Sequence, residues 1–243
     1  DFFDDFTVPV QAVTADELSG EFDLIIVACK AYDLASAMDV IAPAVGSKTT
    51  ILPLLNGIKQ IDLMQARFGD DKVLGGTCYI GAKRDPDNGD ITHFGDFHRI
   101  AYGEMGGGMS ARVEAFAALN DVVKFDIDPS PDVSQVMWDK FAMLCAMSSV
   151  NTLTRGLVGE MAECRDTADA LGHTVSDKVI ATYEKMFSTK GSKFASSMLR
   201  DVLAGNRTEG DHIIGDMVDR AQAAGLHTPI LLAARAGLSV HEK

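Results

Sequence analysis

The chain has 243 residues, long enough for one large domain or two smaller ones, with 47% hydrophobic and 23% charged residues, the balance of a folded globular protein. Its formal net charge of −13 argues against a nucleic-acid partner, because phosphate binding needs a basic surface, but leaves room for a small anion held by a few lysines or helix N-termini in one cleft. No apolar run approaches the roughly 20 residues that cross a bilayer, and no signal peptide is visible, so the sequence predicts no membrane partner.

The opening "DFFDDFTVPVQAV" reads like the middle of a domain rather than its start. "FDLIIVAC" (22–29) is a short, β-branched apolar run, as in a strand covered on both faces. "DLASAMDVIAPAV" (33–45) follows with helical spacing. "TTILPLL" (49–55) reads as a second strand, with Pro53 at an end or edge, and "IKQIDLMQARFG" (58–69) as a helix ending at Gly69. "KVLGGTCYI" (72–80) is expected as a third strand of the same parallel sheet. "GDITHFGDFHRIAYGE" (89–104) shows two short runs around a Gly-Asp turn and predicts a hairpin. "DPSPDVSQ" (128–135) marks the boundary between domains.

Beyond that boundary the chain reads helical. "QVMWDKFAMLCAMSS" (135–149) is apolar on nearly every side, the signature of a buried helix, yet carries Lys140 on a stripe with Val136, Met137, Met143, Leu144 and Met147. A lysine there either snorkels its ammonium to water or works in a cleft. A helical stretch from about Glu160 to Phe187 follows, then a helix around "FASSMLRDVLAG" stopped by Gly205. In "TEGDHIIGDMVDRAQAAG", Thr208 and Asp211 suggest a capping box and Gly225 a C-cap; Thr228 is expected to cap the last helix, with Pro229 at its first position.

Four cysteines without a CxxC pair give no disulfide framework, so a reducing cytoplasm is the expected compartment; Cys29, Cys78 and Cys145 read as small core residues. The six histidines show no HxH or HExxH spacing, so no metal site is expected. In a parallel α/β sheet ligands bind beyond the carboxyl ends of the strands, where Lys30 follows the first strand and Asn56-Gly57 the second. Each also fits a plain loop lysine and a turn former. Ser197 and Asp201 lie one turn apart on one helix face, Glu209 falls in a first helical turn where a carboxylate is favoured, and Arg200 and Arg207 read as surface.

Lys-Ala after "FDLIIVAC", "NG" after the next strand, "WDK" on a helix beyond the linker, and "SSMLRD" followed by "RTEGD" together resemble the ketopantoate reductase family over nearly the whole chain. The resemblance implies an α/β Rossmann-type domain over residues 1–130, incomplete at its N-terminus because no GxGxxG is present, followed by an all-α substrate domain over 131–243, with the active site in a cleft. It implies NADPH-dependent reduction of 2-dehydropantoate to pantoate, on the path to coenzyme A. Lys140 would be the general acid and Glu209 a catalytic residue bridging cofactor and substrate. Asn56 would bind substrate and nicotinamide, Ser197, Asp201 and Ser148 would lie at the substrate, and Lys30 at the cofactor. The residue types suit the chemistry, since a ketone gathers charge on oxygen as it is reduced and a desolvated ammonium can stabilise that charge and give up a proton.

Two departures from the family pattern bear on the substrate. Leu144 and Ser148 stand four and eight residues after Lys140, where many members carry asparagine, and Leu55 stands where glutamine is common. A reductase of another 2-keto acid therefore stays open. So do a 3-hydroxy acid or opine dehydrogenase, which "WDK" with the Ser197–Glu209 block disfavours, and a non-catalytic dimerising remnant, which the joint retention of Lys140, Asn56, Ser197 and Glu209 disfavours. The apolar helical half is compatible with a homodimer and equally with a monomer.

Overall fold

The computed structural model describes residues 9–85, 87–123, 125–153, 158–188 and 196–241. The chain divides into two units: one holds the residues through Cys29, Asp33–Leu55 and Gln60–Ser134, the other Lys30–Tyr32, Asn56–Lys59 and everything from Gln135 onward.

In the first unit, β1 (Leu24–Val27) and β2 (Thr50–Pro53) pair in parallel, joined by α1 (Leu34–Ile41). Pro53 closes β2, where its missing N–H costs no ladder bond, and Leu54 N then donates to Val27 O (2.8 Å). After α2 (Lys59–Phe68) the chain runs beside β2 only briefly: Ile51 N donates to Lys72 O (2.7 Å) and Leu74 N to Ile51 O (2.9 Å). The expected third parallel strand over 72–80 therefore stops at Leu74. At Gly76 a Cβ would lie 2.6 Å from both Leu52 Cδ1 and Pro53 O, so glycine lets the chain pass β2 closely and leave it.

The departing strand is β3 (Gly75–Arg84), which pairs antiparallel with β4 (Ile91–Gly103), with a bulge between Ile80 and Ala82. β5 (Asp126–Pro129) adds in parallel on the other side of β4, after α3 (Ala111–Ala117). The hairpin predicted inside 89–104 is instead one strand, and the reversal falls earlier. Asp85 Oδ1 accepts from Asp87 N (2.8 Å), and Gly89 sits at φ +81°. An Asp-anchored turn with a left-handed glycine reverses the chain better than Gly95-Asp96, which lie within β4. Leu52, Leu74, Tyr102, Val113 and Ile127 form the core between the two sheets, and the Tyr102 hydroxyl donates to Val113 O (2.8 Å). Burial pushes the Tyr102 phenol up to about 12, so it remains a donor at neutral pH.

The predicted boundary at 128–135 is shorter than expected. Asp128 and Pro129 complete β5 and α4 starts at Val133. The second unit contains α4 (Val133–Leu153) from Gln135 on, α5 (Val158–Ala170), α6 (Asp177–Ser188), α7 (Ser197–Leu203), α8 (Asp216–Ala223) and α9 (Pro229–His241). Phe194 and Ala195 of the predicted α7 segment, like residues 1–8 of the opening stretch, lie outside the described residues. From Met137 to Ser149 every residue of α4 except Asp139 and Leu144 is buried, as its all-round apolar character demands. The helical stretch from about Glu160 to Phe187 is divided between α5 and α6. Gly172, at φ +83°, takes the left-handed position that ends α5, and His173 N donates back to Ala168 O (2.8 Å).

Of the two expected caps, one gives way to another partner. Thr208 Oγ1 accepts from Gly210 N (3.1 Å), an N-cap bond at the start of the turn that follows. At α9, Thr228 Oγ1 is buried and, among the described residues, has no hydrogen-bond partner; Glu163 of α5 caps the helix instead, accepting from Ile230 N (3.0 Å) and Leu231 N (2.9 Å). A carboxylate on two N–H groups at a helix N-terminus meets both the orphan donors and the macrodipole. Glu163→Ala should therefore destabilise the protein by about 1–2 kcal/mol, a drop in Tm of about 2–8 °C in thermal denaturation. Of the cysteines read as core, Cys145 is fully buried while Cys29 and Cys78 are only half-buried; Cys164 is also buried. No helix among the described residues is long and apolar enough to cross a membrane.

Candidate active site

The carboxyl ends of β1 and β2 lead into Lys30–Tyr32 and Asn56–Lys59, the two short segments that group with the helical unit. Lys30 Nζ lies 3.5 Å from Glu209 Oε2 and 3.6 Å from Asp201 Oδ2, and Ala31 N donates to Glu209 Oε1 (3.2 Å). The fold thus gathers three of the predicted site residues, drawn from positions 30, 201 and 209, into one ionic cluster. Glu209 is buried at 7% exposure, whereas the Lys30 side chain is 45% exposed. Burial works against the Lys30 ammonium, but the Glu209 and Asp201 carboxylates, with Tyr32, outweigh it and raise its pKa. Lys30 is therefore a firmly held cation just past the end of a parallel strand.

Asp201 projects from α7, whose N-terminus is capped by Ser196, its side chain accepting from Leu199 N (3.0 Å). Ser197, the first residue of α7, is exposed one turn before Asp201. Arg207, expected as plain surface, is exposed but stacks its guanidinium 4.6 Å from the centre of the Tyr32 ring.

Glu209 leads into a single turn of π-helix, Asp211–Gly215, that runs on into α8. Such turns cluster at functional sites because they re-aim side chains. His212 on this turn is half-buried; its ring lies against Gly57 and hydrogen-bonds the Asn56 backbone. Burial, joined by the Lys59 charge, outweighs Glu209, Asp211 and the Asn56 bond and lowers the His212 pKa, so the ring is neutral at neutral pH. One residue on, Ile213 O accepts from the Cys145 thiol (3.3 Å), which ties the turn to α4.

Lys140 and Ser148 are both on α4 and both buried, at 9% and 2% exposure. On the stripe that follows Lys140, Met143 and Met147 are also buried, and Leu144, one turn away, is partly exposed. Asn56 is half-buried and precedes Gly57, whose φ of +89° is a glycine conformation. A Cβ on Gly57 would lie 3.0 Å from His212 Cδ2 and 3.2 Å from Nε2. Gly57→Ala is expected to cost about 1–2 kcal/mol through backbone strain alone, seen as a fall in Tm of roughly 2–8 °C.

The Ala31 amide, the Arg207–Tyr32 stack and His212 are absent from the sequence-level reading. Only His212 carried a signal: it lies three residues after Glu209, and so on the same side of a helical turn.

A Rossmann-like α/β unit followed by a helical unit, with a cation and an amide just past its first parallel strands, has the two-domain arrangement of a dinucleotide-binding enzyme. The family model for ketopantoate reductase PanE/ApbA matches residues 2–107, and that for the ketopantoate reductase PanE/ApbA C-terminal part matches 132–239. An uncharacterized oxidoreductase of Bacillus subtilis (strain 168), YkpB, is 30% identical over 246 residues, covering 96% of this chain and 80% of that protein. The chain belongs to the ketopantoate reductase family. Among solved structures, 2-dehydropantoate 2-reductase from Methylococcus capsulatus matches with a TM-score of 0.82 at 25% identity, over 94% of this chain and 77% of that one. The fold also matches D-mandelate dehydrogenase solved with NADH and anilino(oxo)acetate, with a TM-score of 0.82 at 21% identity, over 95% of this chain and 79% of that one.

Proposed function

We propose that this oxidoreductase reduces 2-keto acids with NADPH, and that 2-dehydropantoate, converted to pantoate, is its substrate. The observation that carries the reading is the Lys30–Asp201–Glu209 cluster, in which residues far apart in sequence converge at the end of a parallel strand. A firmly protonated ammonium and the half-buried Asn56 amide fit a nicotinamide nucleotide, which offers phosphate and carboxamide groups to such donors. When bound, the reduced nicotinamide supplies the hydride for the keto carbon.

The chain's own residues do the rest. Lys30 and Glu209 hold the cofactor side of the site, with Glu209 reaching toward the substrate. Asn56 orients the keto acid and the carboxamide through its paired donor and acceptor. Ser197, Asp201 and Ser148 bind the substrate's polar groups. Lys140 Nζ stabilises the negative charge that builds on the carbonyl oxygen and delivers its proton there, leaving a 2-hydroxy acid. The lysine recovers its proton from solvent.

A second reading, a reductase of a 2-keto acid with an apolar side chain, draws support from Leu144, the partly exposed residue one turn from Lys140. Both readings are tested by following nicotinamide absorbance with 2-dehydropantoate beside a series of aliphatic and aromatic 2-keto acids, with NADPH and NADH. The proposal expects the highest kcat/KM with 2-dehydropantoate and NADPH. Preference for an apolar keto acid would move the substrate and keep the mechanism; no turnover with any would overturn the reading.

A further inference from the structure

We infer that His212 is the positioning residue for Asn56: it clamps the Asn56–Gly57 turn from the π-helical turn that follows Glu209. Three observations converge on it. The His212 ring hydrogen-bonds the Asn56 backbone. Its edge lies so close to Gly57 that a methyl group there would meet Cδ2 at 3.0 Å. Glu209, two residues before the turn, holds Lys30 and Ala31, and the turn itself fastens α4 through the Cys145–Ile213 contact.

The five residues from Glu209 to Ile213 thus touch three separate segments, each bearing one residue of the proposed machinery: Lys30, Asn56, and α4 with Lys140. A regular α-helix places successive side chains about 100° apart, whereas a π-turn widens the helix and changes those directions locally. Here Glu209 meets the segment after β1, and His212 meets the segment after β2. Asn56 can act only if its amide is aimed, and a glycine neighbour at φ +89° leaves the turn free to swing unless something packs against it. His212 supplies that packing and a directed hydrogen bond.

The inference rests on the proposed reductase reading, and its test separates the two. His212→Phe keeps a ring of similar size but loses the hydrogen bond, and His212→Gln keeps a donor and an acceptor on a shorter, flexible stem. Expected for His212→Phe is a fall in kcat/KM of about tenfold to hundredfold, the usual cost of an ångström-scale misplacement. His212→Gln recovers most of that loss. Placed in an Asn56→Ala background, His212→Phe costs nothing further, since the residue acts through Asn56. Amide hydrogen exchange of the segment around Asn56–Ile58 in the free protein speeds up in His212→Phe and not in His212→Gln.

Full additivity of His212→Phe and Asn56→Ala would overturn the inference. So would wild-type exchange around Asn56 in His212→Phe. If the wild-type protein reduces no keto acid, the reductase reading fails, while the exchange measurement still decides whether His212 holds the turn. Should His212→Phe fail to fold, His212→Asn, which shortens the reach but keeps the polar group, gives the same comparison against His212→Gln.

Discussion

Lys140→Ala abolishes most of the 2-keto acid reductase activity, lowering kcat/KM by about 10²–10⁴-fold, the range of a lost general acid, while the protein stays folded. The expectation comes from where the lysine sits. It is 9% exposed on a helix whose adjoining residues, Met137, Phe141 and Met143, are exposed by 7% or less. Burying an ammonium is costly, and a snorkelling lysine would be replaced with little consequence for chemistry. Lys140→Met separates the two accounts, because it keeps the apolar stem and removes only the ammonium. If Lys140 is the acid, Lys140→Met is as inactive as Lys140→Ala, yet its Tm stays within about 4 °C of wild type. Lys140→Arg tests the proton itself: the guanidinium keeps the charge but gives up no proton at neutral pH, so it should not restore turnover. Wild-type activity in Lys140→Met would leave the lysine structural and remove the acid from the mechanism.

Much of this arrangement could be read from the sequence, and what could not has physical reasons. β1 and β2 announced themselves as short β-branched runs, and Pro53 fell at the strand end where its missing N–H is harmless. The buried helix around Lys140 was legible because apolar residues stand on every side of it from Val136 to Met147, with only Asp139 and Lys140 among them. The hairpin was misplaced because two turn signals competed, Gly95-Asp96 and the Asp85–Asp90 segment, and side-chain hydrogen bonds from Asp85 decided for the second. The cap at Thr228 failed for a different reason: local capping rules consider neighbours in sequence, whereas Glu163 reaches α9 from a different helix. The candidate site residues could be picked out one by one, through residue type and the family resemblance. Their joining was not, since no spacing rule links positions 30, 201 and 209. His212 stands three residues after Glu209, but that spacing does not reveal that its ring meets Gly57.

Glu209→Gln tests the joining itself. Glu209 does two separable things: Oε1 accepts from the Ala31 amide, and Oε2 faces the Lys30 ammonium. A glutamine can keep the first and must lose the second. Because Lys30 is 45% exposed and retains Asp201 at 3.6 Å, the charge loss should move Tm by only a few degrees. Glu209→Ala also leaves the Ala31 N–H without its acceptor and is expected to be less stable than Glu209→Gln by about 1–2 kcal/mol. Activity should follow the opposite emphasis, with Glu209→Gln already lowering kcat/KM by about tenfold or more, because an uncompensated Lys30 is no longer held in place. The pH dependence gives an independent reading. The Lys30 pKa is raised in the folded protein, so its pairing contributes stability in full below its ordinary value of 10.5 and loses it as pH rises through the folded value. Removing the Glu209 charge leaves burial opposed only by Asp201 and Tyr32, and the folded pKa falls. Acetylation of Lys30, followed by mass spectrometry across alkaline pH, should therefore begin at lower pH in Glu209→Gln than in the wild type. An unchanged acetylation profile would mean that Asp201 alone holds the lysine, and Glu209 would then act on Ala31 and not on charge.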